Sequence, residues 1–271
     1  MNKEFIDKYF LLRELNGISK KWLNKARIWI EEYLNYCNYS IDENNTLEYI
    51  KNLMDNHSII FYRKKTYQIR HFLIYLKCDW ANSIKLPSEP IYLPKRITLD
   101  DIKNTLSYFQ DSQYFTQIKA LTYLGMSSGM RAEELYQLNI EDIDIENREV
   151  HINHNPSNGQ STKTKISRIS FFNEESQRLL SEYLTYFKND RNLKSLFSQS
   201  HITRLFRKPP IKVKDLRKFF SQEWDRRGGP TSIKKILMGH SLKGDVDLMH
   251  YNAQSEEDLK MIYDRVMNKL E

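Results

Sequence analysis

Apolar residues recur at helical spacing along most of this chain, and the places where that period fails mark its joints. Residues 3–15 carry Phe5, Ile6, Tyr9, Phe10 and Leu12 at that spacing, and Asn16-Gly17 supplies a stop. Ser19 caps a second predicted helix with the stripe Trp22, Leu23, Ala26, Trp29, Ile30, Tyr33 and Leu34. A third helix is expected over 46–54, beginning at Thr46. A fourth is expected over 59–76, with Ile60, Ile69, Phe72, Leu73 and Leu76 on its apolar face. Residues 1–85 therefore read as a four-helix domain. Residues 86–97, LPSEPIYLPKRI, hold three prolines, which deny helix and favour extended chain, so they read as a linker.

The second predicted domain, 98–271, opens with Thr98 ahead of Asp100 and Asp101, a preferred helix start. Helical period returns over 114–126 and breaks at Gly129. It resumes with Arg131 in the first turn of a new helix and Glu134 one turn later. Over 140–153 the period changes to two, as it does again in KTKISRISFF after the loop signal NPSNGQST. Three antiparallel strands are expected, with Lys163 and Lys165 near the tip of the last hairpin. Further helices are predicted from Asn173 through Phe187, over 201–207, over 213–227, from a Thr231-Ser232 cap to Met238, and over 256–270. The fold class is mainly α with a small three-stranded antiparallel sheet.

A net charge of +7 over 271 residues makes a polyanion the first partner to consider. Lys20, Lys21, Lys25 and Arg27 on the second helix, with Arg63, Lys64, Lys65 and Arg70 on the fourth, are candidates for a DNA-facing surface; a solvated polar face accounts for them equally well. The only cysteines, Cys37 and Cys78, form no CxxC or Cys/His spacing, which argues against a zinc site or a disulfide framework. The opening MNKEFIDKYFLLREL has no signal-peptide core and no bilayer-length apolar run, so a cytoplasmic protein without a membrane partner is expected.

The densest chemistry lies between Lys214 and Tyr251. Lys214 and Arg217 stand one helical turn apart, Gly239-His240 follows a helix, and Tyr251 is preceded by histidine. With Arg131 these residues supply an anion clamp, a proton donor and a hydroxyl nucleophile. Arginines donate paired N–H groups to non-bridging phosphate oxygens and neutralise the charge that builds on phosphorus during phosphoryl transfer. A tyrosine with an ordinary pKa of about 10 needs cations or a base to react, and Lys214, His240 and the arginines provide both.

In order and spacing GMRAEEL, KDLR, LMGHS and HY resemble the two arginine boxes, the Gly-His box and the tyrosine box of the tyrosine recombinases, the lambda-integrase family. The resemblance runs over nearly the full length, and GHSLKGDV and LKMIYDRV are similar to integrases of archaeal viruses and plasmids. It implies a helical core-binding domain joined to a catalytic domain. It also implies that Arg131 and Arg217 bind the scissile phosphate, that Glu134 supports them, and that His240 hydrogen-bonds the phosphate or helps move protons. Lys163, five residues before Arg168, matches the family's leaving-group proton donor better than Lys165 does. Tyr251 then makes a 3′-phosphotyrosyl link that a 5′-hydroxyl of a partner duplex resolves, with neither metal nor ATP, in four protomers on two double-stranded DNA sites. Lys214 departs from the family's usual histidine, leaving open an electrostatic donor or a base of depressed pKa, and the His240–Tyr251 spacing is slightly long. A type IB topoisomerase-like relaxing enzyme and a non-catalytic DNA-binding accessory factor are the alternatives.

Overall fold

The computed structural model describes residues 3–189, 195–241 and 254–269. The chain forms two compact units, Met1–Leu93 and Pro94–Glu271. In the first, α1 (Lys3–Leu15), α2 (Lys20–Tyr36), α3 (Glu43–Asn56) and α4 (Ile59–Tyr75) enclose a core of Tyr9, Ile30, Tyr33, Leu34, Ile69, Phe72 and Leu73. Ser19 and Ser58 cap α2 and α4 by accepting backbone N–H groups.

Three features of this unit correct the sequence reading. α3 starts earlier than Thr46 because Asp42 accepts the Asn45 N–H at 2.9 Å. Thr46 is instead fully buried, with its hydroxyl 2.6 Å from that of Tyr33. Ile60 is exposed, and the inward face of α4 carries Lys65, Thr66 and Gln68 in addition to its apolar residues. Lys65 is therefore not part of a DNA-facing surface. Only 5% exposed, it is paired with Glu32 and lies 5.4 Å from the Tyr49 ring centroid. A buried ammonium needs such partners, because desolvation otherwise disfavours its charge.

In the second unit α5 (Leu99–Tyr108) begins with a reciprocal capping box between Thr98 and Asp101. It leads to α6 (Phe115–Ser128), whose Ile118, Leu121, Leu124 and Met126 are all fully buried. α6 packs against α8 (Glu174–Asn189) and α10 (Val213–Arg226). The sheet is antiparallel in the order β1-β2-β3, formed by β1 (Ile143–Asp144), β2 (Glu149–Ile152) and β3 (Arg168–Phe171). β1 is shorter than expected because Asn139 and Asp142 fold 140–142 into a 3-10 turn. Register pairs Ile152 with Arg168, so residues 153–167 form one long connection between β2 and β3.

α7 (Ala132–Tyr136), α9 (Gln199–Leu205), α11 (Thr231–Met238) and α12 (Glu256–Met267) complete the unit. Pro230, rather than the Thr231-Ser232 pair, occupies the α11 cap position. Phe171, Phe220, Trp224, Leu237 and Tyr263 join β3, α10, α11 and α12 in a second cluster, which fixes the end of α11 against the sheet. Leu270, expected in the last helix, lies outside the described residues. Among the described residues no helix is long and apolar enough to cross a membrane.

Candidate active site

α6 ends at Gly129, where φ is +65° and an added Cβ would stand 2.5 Å from the Phe220 ring. Only glycine fits this left-handed, crowded turn. The chain then places Arg131 in extended conformation at the cap of α7, just before the helix rather than in its first turn. Arg131 grips Glu134 twice, with its backbone N–H at 2.8 Å and Nη1 at 2.7 Å. From β3, Arg168 adds a bidentate pair to the same carboxylate at 3.0 and 2.7 Å. Glu134 is 4% exposed and receives all four N–H groups. Burial works against its charge, but the bonds and charge of Arg168, followed by those of Arg131, outweigh it and hold its pKa below the ordinary value.

The opposite wall is the C-terminus of α11. Gly239, with φ +61°, donates to Ile236 O at 2.9 Å and His240 N–H donates to Lys235 O at 2.9 Å, a Schellman ending. The carbonyls of residues 237, 238 and 239 are thereby left for side-chain donors, and each takes one arginine. Arg168 Nε reaches Leu237 O at 2.9 Å, Arg217 Nη1 reaches Met238 O at 2.7 Å, and Arg131 Nη2 reaches Gly239 O at 2.8 Å. Arg217 Nη1 also donates to Gly129 O at 2.8 Å, tying the ends of α6 and α11 together. The negative end of the α11 dipole suits this assembly.

Three guanidiniums against one carboxylate leave the cluster positive. Burial first, and then the charge of Arg131, push the Arg217 pKa down to about 10, which leaves it protonated at neutral pH. His240 follows on the exposed surface. Partial burial of its ring, then Arg217 and Arg131, lower its pKa below 6.5, so it is neutral at pH 7. Among the described residues no acceptor occupies Arg131 Nε, Arg217 Nε or Arg217 Nη2. The net positive charge of the cluster favours an anion at these N–H groups.

The structure thus brings Arg131, Glu134 and Arg217 together beside the His240 backbone. Lys214 is exposed in the first turn of α10, and Lys163 is exposed on the 153–167 connection; among the described residues neither hydrogen-bonds to the cluster. Tyr251 lies outside the described residues. Sequence reasoning used Arg168 only as a spacing mark for Lys163. An arginine opening the largely apolar run Ile169-Ser170-Phe171-Phe172 is the signal in the sequence that it has a partner inside. In the first unit Lys20, Lys21, Lys25 and Lys64 are exposed. Arg27, Arg63 and Arg70 are half-buried and engaged by Asp7 (2.8 Å), Glu89 (3.5 Å) and the Ala81 carbonyl (3.2 Å).

A largely helical unit with a short antiparallel sheet thus gathers three arginines around one buried glutamate and the end of α11, a site whose charge suits an anion. Residues 95–257 match the phage integrase family, and the chain belongs to that family: it is a tyrosine recombinase, an enzyme that acts on DNA. It is similar to tyrosine recombinase XerA of Pyrococcus horikoshii, 25% identical over 264 residues that cover 89% of this chain and 86% of that protein. XerA of Saccharolobus solfataricus is 27% identical over 186 residues, 66% of this chain and 61% of that one. In fold the chain is similar to a lambda integrase fragment bound as a dimer to a core site, with a TM-score of 0.66 at 10% identity and coverage of 100% of this chain and 98% of that one. It is likewise similar to the Tn1549 transposon integrase in complex with circular intermediate DNA, with a TM-score of 0.65, 16% identity and coverage of 97% and 98%.

Proposed function

We propose that this recombinase cuts and rejoins double-stranded DNA at a specific site through a 3′-phosphotyrosine at Tyr251. The observation that carries the reading is the convergence of Arg131 and Arg217 on the end of α11, with N–H groups that take no acceptor among the described residues. These donors hold the non-bridging oxygens of the scissile phosphate and strengthen their grip as negative charge accumulates in the transition state. Tyr251 Oη forms a bond to phosphorus, the bond from phosphorus to O5′ breaks, and the Lys163 ammonium gives O5′ its proton. Attack by a 5′-hydroxyl from a partner duplex reverses these steps. His240, neutral at pH 7, accepts the tyrosine proton and returns it when the link is resealed, and Lys214 adds positive charge at the start of α10.

Residues 1–85 serve as a core-binding domain, in which the exposed Lys20, Lys21, Lys25 and Lys64 follow the phosphate backbone. Arg27, Arg63 and Arg70 contribute their remaining donors, residues 86–97 link the domains, and residues 98–271 form the catalytic domain. The working assembly is a tetramer on two sites, serving a mobile element in the cytoplasm of its host. The test selects the cognate site from a random duplex pool and then mixes two duplexes of unequal length that carry it. Exchanged products support the reading; relaxation of a supercoiled plasmid carrying the site, without exchange, contradicts it.

A further inference from the structure

The connection between β2 and β3 carries Lys163, and one of its arms is built into the protein body. Gln160, 8% exposed, donates Nε2 to Asp142 Oδ2 at 2.7 Å and to the Gln137 carbonyl at 3.2 Å. The next residue, Ser161, donates its backbone N–H to Gln137 Oε1 at 2.7 Å. Asp142 is 6% exposed and also accepts Asn139 N–H at 2.8 Å and Asn153 Nδ2 at 2.7 Å, so one carboxylate holds both the first residue of the connection and its midpoint, Gln160. Beyond this anchor Thr162, 5% exposed, closes a turn by exchanging hydrogen bonds with Ile166 through its hydroxyl, at 3.0 and 3.1 Å. Its N–H meets His154 Nδ1 at 3.1 Å, and Lys165 adopts φ +58° to complete the turn. Lys163 is held exposed on this turn, three residues from Gln160.

Gln137 stands immediately after α7 and Arg131 immediately before it. A helix of only five residues therefore joins the arginine cluster to the anchor of the lysine turn.

We propose that Gln160, held by Gln137 and Asp142, is a positioning residue for Lys163: it registers the proton donor against the arginine clamp. The anchor side chains are directed at backbone and at each other, so their contribution to cleavage passes through Lys163. This rests on the reading of Lys163 as the leaving-group acid. Loss of the anchor lets the ammonium wander, which slows protonation of O5′ and leaves phosphate binding intact.

The experiment uses the full chain and nicked suicide duplexes that carry the selected site, with the scissile 5′-bridging oxygen either intact or replaced by sulfur. A thiolate departs without a proton, so the sulfur duplex removes the need for an acid. Gln160→Ala is expected to slow covalent adduct formation on the oxygen duplex at least about tenfold, a part of the roughly 100- to 10,000-fold that a general acid contributes, and to recover nearly to the wild-type rate on the sulfur duplex. Lys163→Ala recovers in the same way, and Arg131→Ala stays slow on both. If Lys163→Ala is not rescued by sulfur, the acid reading fails and the inference falls with it. If Lys163→Ala is rescued while Gln160→Ala remains slow on sulfur, or cleaves the oxygen duplex at the wild-type rate, the positioning role is overturned and the acid reading stands. Gln137→Ala, which removes only the acceptor of Ser161 N–H, gives a second reading of the same anchor and is expected to follow Gln160→Ala.

Discussion

Glu134→Gln probes the assembly where its forces are largest. The wild-type carboxylate receives four N–H groups, two from Arg131 and two from Arg168. A glutamine of the same shape offers one oxygen and turns an amide NH₂ toward the guanidiniums, so donors are left facing a donor. Removing one partner from a buried ion pair costs about 3–5 kcal/mol, and Arg168 is nearly as buried as the glutamate, with 8% of its side chain exposed. For a unit of this size that loss lowers the midpoint of thermal unfolding by roughly 6–20 °C, measurable by scanning calorimetry. The pH dependence checks the cause. The folded pKa of Glu134 is depressed, so its contribution is present above the unfolded value of about 4.3 and is lost as pH falls through the folded value. The stability gap between wild type and Glu134→Gln is therefore widest near neutral pH and closes in acid. Cleavage also slows, by about a hundredfold, because Arg131 loses its fixed position. A variant that melts within about 1 kcal/mol of wild type at pH 7, or a gap that persists unchanged into acid, refutes the reasoning.

Gly239→Ala forces a Cβ to within 2.8 Å of the Arg168 guanidinium at φ +61°; the left-handed backbone alone costs about 1–2 kcal/mol, and both unfolding temperature and adduct yield are expected to fall. His240 should titrate below 6.5 in an NMR experiment on the free protein, and inorganic phosphate should raise that midpoint by offsetting the arginine field. Its contribution to stability is present above 6.5 and is lost as pH falls through the lowered value. Lys65→Met is expected to lower unfolding temperature without changing the salt dependence of DNA binding, whereas Lys21→Ala and Lys64→Ala each reduce the salt slope by about 1 with little effect on stability.

Much of the fold follows from local pattern. The α2 stripe is buried apart from the half-exposed Trp22, and the caps at Ser19 and Thr98 lie where side-chain chemistry places them. Pattern fails where a distant partner decides. Lys65 reads as a surface cation because charges are rarely buried, yet its partner Glu32 is 33 residues away on another helix. Arg168 is equally opaque, since its acceptors Glu134 and Leu237 O lie 34 and 69 residues distant. The motifs around Arg131, Arg217 and Gly239 single out residues that the fold does bring together. Periodicity does not reveal that three consecutive carbonyls are shared among three arginines, because that depends on α11 docking against β3 and α10.

On the proposed reading this arginine site serves covalent attack by Tyr251 on a DNA phosphate. The direct measurement incubates the full chain with a nicked suicide duplex carrying its selected site, followed by denaturing electrophoresis and peptide mapping. The expected product is an adduct linked through Tyr251 to a 3′-phosphate, with a free 5′-hydroxyl, absent in Tyr251→Phe and strongly reduced in Arg131→Ala and Arg217→Ala. An adduct that survives Tyr251→Phe, or wild-type protein that exchanges strands with no covalent intermediate, contradicts it.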